Sequence, residues 1–270
     1  MFKTDLNSPG TTYAVIDLEF LFDREAHARY MESEREDAKP KIRWPFRHVV
    51  AASAMILMVT GEPGGRQLEV AKFRTFGRPE QSEREIVSSL FELLAEYPDA
   101  TVTTWGGETQ DFAVLRAAAL THGLRLPQQL HAKAIHYRQP PRRHLDLAIA
   151  VKGQAESVHL AELAMRATIP CKVKMKAHEV GKAAERGRWS EVKEQAEIDV
   201  IATALMLGRF LYATGEIDGS AWSADSAIGY AVLRSHFYRG YAEPIQSWLD
   251  GRSSTTLKVA LADQMELADR

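Results

Sequence analysis

The feature that most limits what this chain can fold into is an apolar run from Val49 to Val59, broken only by Ser53 and rich in alanine. A membrane-spanning helix needs about 20 apolar residues, so the run is too short to cross a bilayer. It reads instead as a buried strand, which must be covered by other elements to keep its backbone and side chains out of water. Strand-like segments flank it. Tyr13 to Phe20 begins apolar and β-branched and then alternates Asp17, Leu18, Glu19, Phe20. Gly61, Pro63, Gly64 and Gly65 form a turn, and Leu68 to Phe76 follows as a third strand. Three strands joined in series predict an antiparallel start to a sheet.

The periodicity then changes. Ser82 to Tyr97 carries apolar residues at helical spacing, opens with a Ser82–Glu85 capping box and ends before Pro98. Ala100 to Trp105 reads as a fourth strand, and Asp111 to His122 as a helix closed by Gly123. Asp23 to Arg47 reads as irregular or partly helical, and Pro127 to Leu147 as mixed. Further helices are expected near 158–167, 177–186, 190–212 and 227–238. The pattern predicts an α/β fold, a mixed β-sheet flanked by helices. One domain is expected over residues 12–215, with residues 216–270 as a C-terminal helical extension whose role the sequence does not state.

Composition narrows the function classes. Hydrophobic residues at 45% and charged residues at 26% exclude a disordered or fibrous chain. Thirty-four basic against 36 acidic residues give a net charge of −2, which argues against a histone-like or tail-type nucleic-acid binder. It does not exclude an enzyme acting on nucleic acid, because bound cations neutralise an acidic site. A single cysteine, Cys171, excludes an intramolecular disulfide and fits a reducing compartment, so a cytoplasmic location is expected. No membrane association is expected, and no protein partner can be inferred.

Three segments carry candidate chemistry. Asp17 and Glu19 share one face of the first strand, because strand side chains repeat every two residues. Two carboxylates side by side on a largely buried sheet repel, and a divalent cation between them removes that cost. Thr104-Trp105-Gly106-Gly107-Glu108-Thr109-Gln110-Asp111 runs from a strand through a glycine turn into a helix, with Asp111 in its first turn, where simple capping also accounts for it. Asp199 stands among Ile198, Val200 and Ile201 on the long late helix, the one late carboxylate set to face inward.

In this order the segments resemble the three exonuclease motifs of the DEDD (DnaQ-like) 3′–5′ exonuclease superfamily, which has a ribonuclease-H-like fold. The nearest likeness is to predicted exonucleases similar to the proofreading domain of B-family DNA polymerases. Trp105-Gly106-Gly107 to Leu115 looks like that family's W-N-G-x-x-F-D-x-P-V-L, and His144-Leu145-Asp146-Leu147 like its H-L-D-L segment. Ile169 to Lys172 and Glu197 to Val200 with Thr203 extend the likeness over about residues 12–213. The resemblance implies that Asp17, Glu19, Asp111 and Asp199 hold two Mg²⁺ or Mn²⁺ ions about 4 Å apart and hydrolyse the terminal phosphodiester of a DNA or RNA 3′ end. It implies Phe20, Trp105, Gly106, Gly107 and Asp146 as contacts for the terminal nucleotide. Phe20 reads equally as a core aromatic, and Asp146 reads also as a helix N-cap.

The chain departs from the family pattern where the water is oriented. Gln195 stands where the tyrosine branch of the superfamily has Tyr, and an amide orients water without accepting its proton. Glu194 stands at the histidine-branch position, about 140° around a straight helix from Asp199. His178 reaches the site only if its loop folds back. Gly107 replaces the usual Asn, and Gln110 the usual aromatic. A weak or inactive nucleic-acid-binding protein on the same fold is therefore a second reading, and a small-molecule hydrolase or interaction module a third. His131, His136, His144 and His159 lack zinc-site spacing. Cys171 reads as a packing residue. Arg138, Arg142 and Arg143 with Tyr137 read as phosphate contacts or as solvated loop charge.

Overall fold

The computed structural model describes residues 11–108, 110–131, 143–171, 175 and 179–251. It opens with β1 (Thr12–Phe22), α1 (Arg24–Glu34), β2 (Arg47–Thr60) and β3 (Gln67–Gly77). There follow α2 (Glu83–Glu96), β4 (Thr101–Thr104), α3 (Asp111–His122), β5 (His144–Asp146) and α4 (Leu147–Lys152). Then come α5 (Leu160–Arg166), α6 (Val180–Glu185), α7 (Trp189–Ala213) and α8 (Ala221–His236), with a last helical segment over 242–251.

The sheet has strand order β3-β2-β1-β4-β5. β1 pairs antiparallel with β2, and β2 with β3, while β1–β4 and β4–β5 are parallel. The apolar run of β2 is buried from Val49 to Leu57 because helices cover both faces of the sheet. Alternation divides β1 between two cores. Ala14, Ile16 and Leu18 pack with residues of α2 and α3, including Leu90, Leu94 and Phe112. Tyr13 and Val15 face Ile201, Leu205 and Ile228 of α7 and α8. Asp17 and Glu19 continue the α7 face, so the carboxylates and the long helix meet as a consequence of strand parity. The β1–β2 register shifts between Glu19 and Phe20, where Val50 of β2 is passed over, so the extra residue lies on β2 and the alternation of β1 continues through Phe20.

Three stretches that the sequence left open take definite form. The stretch after Asp23 contains a regular helix, α1, whose first turn is capped by the Asp23 carboxylate accepting from the Ala26 N–H at 2.7 Å. The mixed region before 147 holds β5, only three residues long and therefore without readable periodicity. Past 215 the packing is continuous: Ile217, Ala224, Ile228, Tyr241 and Ile245 lie in the same core as Val15 and Leu205. Buried Glu197 on α7 binds this segment, accepting from Arg239 Nη2 at 2.8 Å and from the Tyr241 hydroxyl at 2.9 Å. Among the described residues no helix is long and apolar enough to cross a membrane.

Candidate active site

Sheet order reverses between β1 and β4, the two parallel strands whose carboxyl ends open side by side. Crevices at such a switch point are where open α/β sheets bind ligands. A cavity of about 830 Å³ lies there, lined by Asp17, Glu19, Trp105, Gly106, Asp111 and Asp199 among others. Oxygens of Asp17, Glu19 and Asp199 lie within 4.8 Å of one another. Asp111 is the first residue of α3, 8% exposed, and faces the same cavity without belonging to that tight group.

The electrostatics follow from this crowding. Burial, then the charges of Asp199, Glu19 and Asp111, push the Asp17 carboxyl well above its ordinary range. Burial and the charges of Asp199 and Asp111 do the same to Glu19. Asp111 is pushed up to about 7, first by burial and then by Asp146, while the nearby Arg47 draws it down. Asp17 and Glu19 keep some surface open to the cavity, so water there tempers the magnitude while leaving the direction. Converging carboxylates with no histidine or cysteine among them suit a hard divalent cation such as Mg²⁺ or Mn²⁺.

The glycine turn after β4 is fixed by neighbours in the sheet. Asp146 at the end of β5 caps α4 through the Ile149 N–H at 3.4 Å, and also accepts from Gly106 N–H at 3.0 Å and Glu108 N–H at 3.4 Å. These bonds make it a brace for the turn as well as a cap. The Gly107 N–H donates to Thr104 Oγ1 at 3.2 Å. A Cβ on Gly107 would stand 2.7 Å from both Asp111 Oδ2 and Thr104 Oγ1, so a larger residue requires Asp111 or Thr104 to shift. Gly106 and Trp105 line the cavity. His144 sits under the turn, its Nδ1 donating to Glu108 Oε2 at 3.1 Å and its Nε2 accepting from the Thr104 hydroxyl at 2.9 Å.

Gln195 is 4% exposed on α7 and donates from Nε2 to Asp199 Oδ2 at 2.8 Å, so its amide orients the carboxylate one turn ahead. Glu194 points away toward Arg239, 4.0 Å distant, as its helical angle predicts. Phe20 packs on the α2–α3 core and also lines the cavity. Cys171 packs against the main core. Arg143 is engaged by Asp99, while Arg138, Arg142, Tyr137, His136 and His178 lie outside the described residues. Several lining residues escaped the sequence reading, among them Arg24 at the start of α1, Arg47 at the start of β2 and Glu185 on the short helix α6. None stands in a motif that carries chemistry, so no sequence signal marked them as site residues.

A five-stranded sheet of this order, helices on both faces and a carboxylate cluster at the end of its first strand define a ribonuclease-H-like exonuclease fold. The chain belongs to the family described as predicted 3′-5′ exonuclease related to the exonuclease domain of PolB, whose model matches residues 39–249. That span begins after β1 and runs past 215 through α8. The family B DNA polymerase from the hyperthermophilic archaeon Pyrobaculum calidifontis shares the fold, with a TM-score of 0.51 at 13% identity over 84% of this chain. The chain spans 29% of the length of that polymerase. No curated protein matches the chain.

Proposed function

We propose that this protein is a metal-dependent 3′–5′ exonuclease that releases nucleoside monophosphates from nucleic-acid 3′ ends. The observation that carries the reading is the meeting of Asp17, Glu19 and Asp199 within 4.8 Å at a strand end, in a chain of this family. Asp17, Glu19 and Asp199, with Asp111 beside them, would hold two Mg²⁺ or Mn²⁺ ions. Bound there, such ions supply charge stabilisation at the phosphate and a water of lowered pKa. The chain's own residues then do the following. The carboxylates bind cation and exclude an anionic strand until it is present. Gln195 holds the Asp199 carboxylate in register. Phe20, Trp105 and the backbone of Gly106 form the walls against which a terminal nucleotide rests, with Gly107 and Asp146 fixing the turn. Residues 12–215 carry the chemistry, and the single cysteine suits a cytoplasmic setting.

The test is incubation of 5′-labelled single-stranded DNA and RNA with Mn²⁺, using Asp17→Ala and Asp199→Asn as controls. A ladder shortening from the 3′ end in wild type alone supports the reading; equal products in all three, or none in any, overturns it. One observation favours a second reading, a nuclease fold that binds nucleic acid and turns over slowly. Gln195 occupies the water-orienting position and is already committed to Asp199. Strong cleavage gained by Gln195→Tyr in a silent wild type would select that reading.

A further inference from the structure

Two arginines, Arg24 and Arg47, line this acidic cavity, and Arg47 is the one seated on aromatic rings beside Asp111. Arg47 opens β2, directly across from Phe22 in the β1–β2 register. Its guanidinium lies 5.8 Å from the centre of the Phe20 ring and 5.4 Å from that of Phe22, and Nη1 donates to Gln110 Oε1 at 2.9 Å. Among the described residues no carboxylate lies within ion-pair distance of it, so its single fixed partner is a neutral amide. Two aromatic faces and one hydrogen bond hold the planar fork in place, and the fork lines the cavity. Strand parity sets its relation to the carboxylates. Phe20 and Phe22 project from the face of β1 opposite Asp17 and Glu19. A guanidinium seated on those rings is therefore on the far side of β1 from the tight carboxylate group, beside Asp111.

We propose that Arg47 is a substrate-binding residue that grips a backbone phosphate of the bound strand next to, and distinct from, the phosphate being cleaved. This rests on the exonuclease reading and names the substrate class of the same site, a polynucleotide strand with at least one further phosphate. Gln110 gains a role as the residue that aims the fork. An aromatic at 110 has no carbonyl to accept from Arg47, so the departure from the family pattern and the placement of the arginine are one feature.

The experiment compares Arg47 with Arg47→Gln and Arg47→Lys, each in the full chain carrying Asp199→Asn, by fluorescence anisotropy of a labelled single-stranded oligonucleotide across a salt series. Loss of one phosphate contact is expected to reduce the slope of log K against log salt by about 0.7 in Arg47→Gln, with a several-fold loss of affinity, and Arg47→Lys should restore the slope. In the Asp199 background, cleavage plays no part. A second arm measures Mn²⁺-dependent hydrolysis of the p-nitrophenyl ester of thymidine 5′-monophosphate, which has a single phosphate, with Asp199 intact. Arg47→Gln should lower kcat/KM several-fold more for the oligonucleotide than for this single-phosphate ester, chiefly by raising KM for the oligonucleotide. An unchanged salt slope overturns the proposal, as does equal loss on both substrates, which would put Arg47 at the cleaved phosphate. A wild type that neither binds nor cleaves overturns both proposals. One that binds with the expected Arg47-dependent slope and cleaves nothing overturns the exonuclease reading alone.

Discussion

Gln195 Nε2 donates to Asp199 Oδ2 across one turn of α7, at 2.8 Å. The hydrogen bond ties the residue that departs most from the family pattern to the carboxylate that completes the acidic group. Gln195→Leu keeps the volume and removes the donor. Its expected effect is a fall in kcat of about tenfold, consistent with the loss of one hydrogen bond of ~1.4 kcal/mol, with KM little changed. Steady-state cleavage of a labelled oligonucleotide measures it, and an unaltered kcat would show that Asp199 needs no such support.

Crowded carboxylates make the ion-free site a source of instability. Asp17→Asn removes one charge from the group, so the EDTA-treated variant is expected to melt about 3–6 °C above wild type at pH 8, for a gain of ~1–2 kcal/mol. The stabilisation that Mn²⁺ gives wild type, on the order of 2–3 kcal/mol at a hundredfold excess over Kd, should be lost. Differential scanning fluorimetry with and without Mn²⁺ reads both effects.

Asp111 gives the pH dependence a sign. Its pKa is raised to about 7 in the folded protein from an ordinary 3.8, so between these values the folded state holds a proton that the unfolded state releases. That stability is present in full below about pH 4 and is lost as pH rises through 7. Asp17 and Glu19 shift in the same direction. These groups therefore make the ion-free protein less stable at pH 8 than at pH 6, and added Mn²⁺ should reverse the order because cation binding displaces the proton. Melting curves at the two pH values, with EDTA or Mn²⁺, test the sign.

Gly107→Ala places a methyl 2.7 Å from Asp111 Oδ2 and Thr104 Oγ1. The strand end and the first turn of α3 must part, at a cost of about 1–3 kcal/mol. Asp111 moves with them, so a loss of activity greater than that from the stability change is expected. Denaturant unfolding beside cleavage assays separates the two.

Glu197→Ala strips Arg239 and Tyr241 of a buried acceptor. Removing one partner of a buried ion pair costs about 3–5 kcal/mol, so this variant is expected to be among the least stable single substitutions in the chain. A loss below 1 kcal/mol in urea unfolding would mean that the C-terminal segment is not held through α7.

Local pattern made much of this protein readable. Apolar runs and turn residues marked β1 to β3, and the Ser82–Glu85 box marked the start of α2, since those signals depend on neighbours in the chain. The parity of Asp17 and Glu19 put both carboxylates on one face before any partner was known. β5 was hidden because three residues carry no period, and α1 was legible only as part of a partly helical stretch because its strongly charged sequence offers no apolar stripe. Asp146 presented itself as a cap; that it also braces Gly106 and Glu108 depends on β5 lying beside β4. Arg47 and Gln110 are 63 residues apart, and nothing local foretells that they meet. The sequence by itself determined most of the elements and the inventory of carboxylates. Tertiary structure decided that Asp17, Glu19 and Asp199 form the tight group with Asp111 beside it, and that Arg47 lines the same cavity. Electrostatic interaction depends on distance through space, and the sheet order that sets those distances is a property of the packed core.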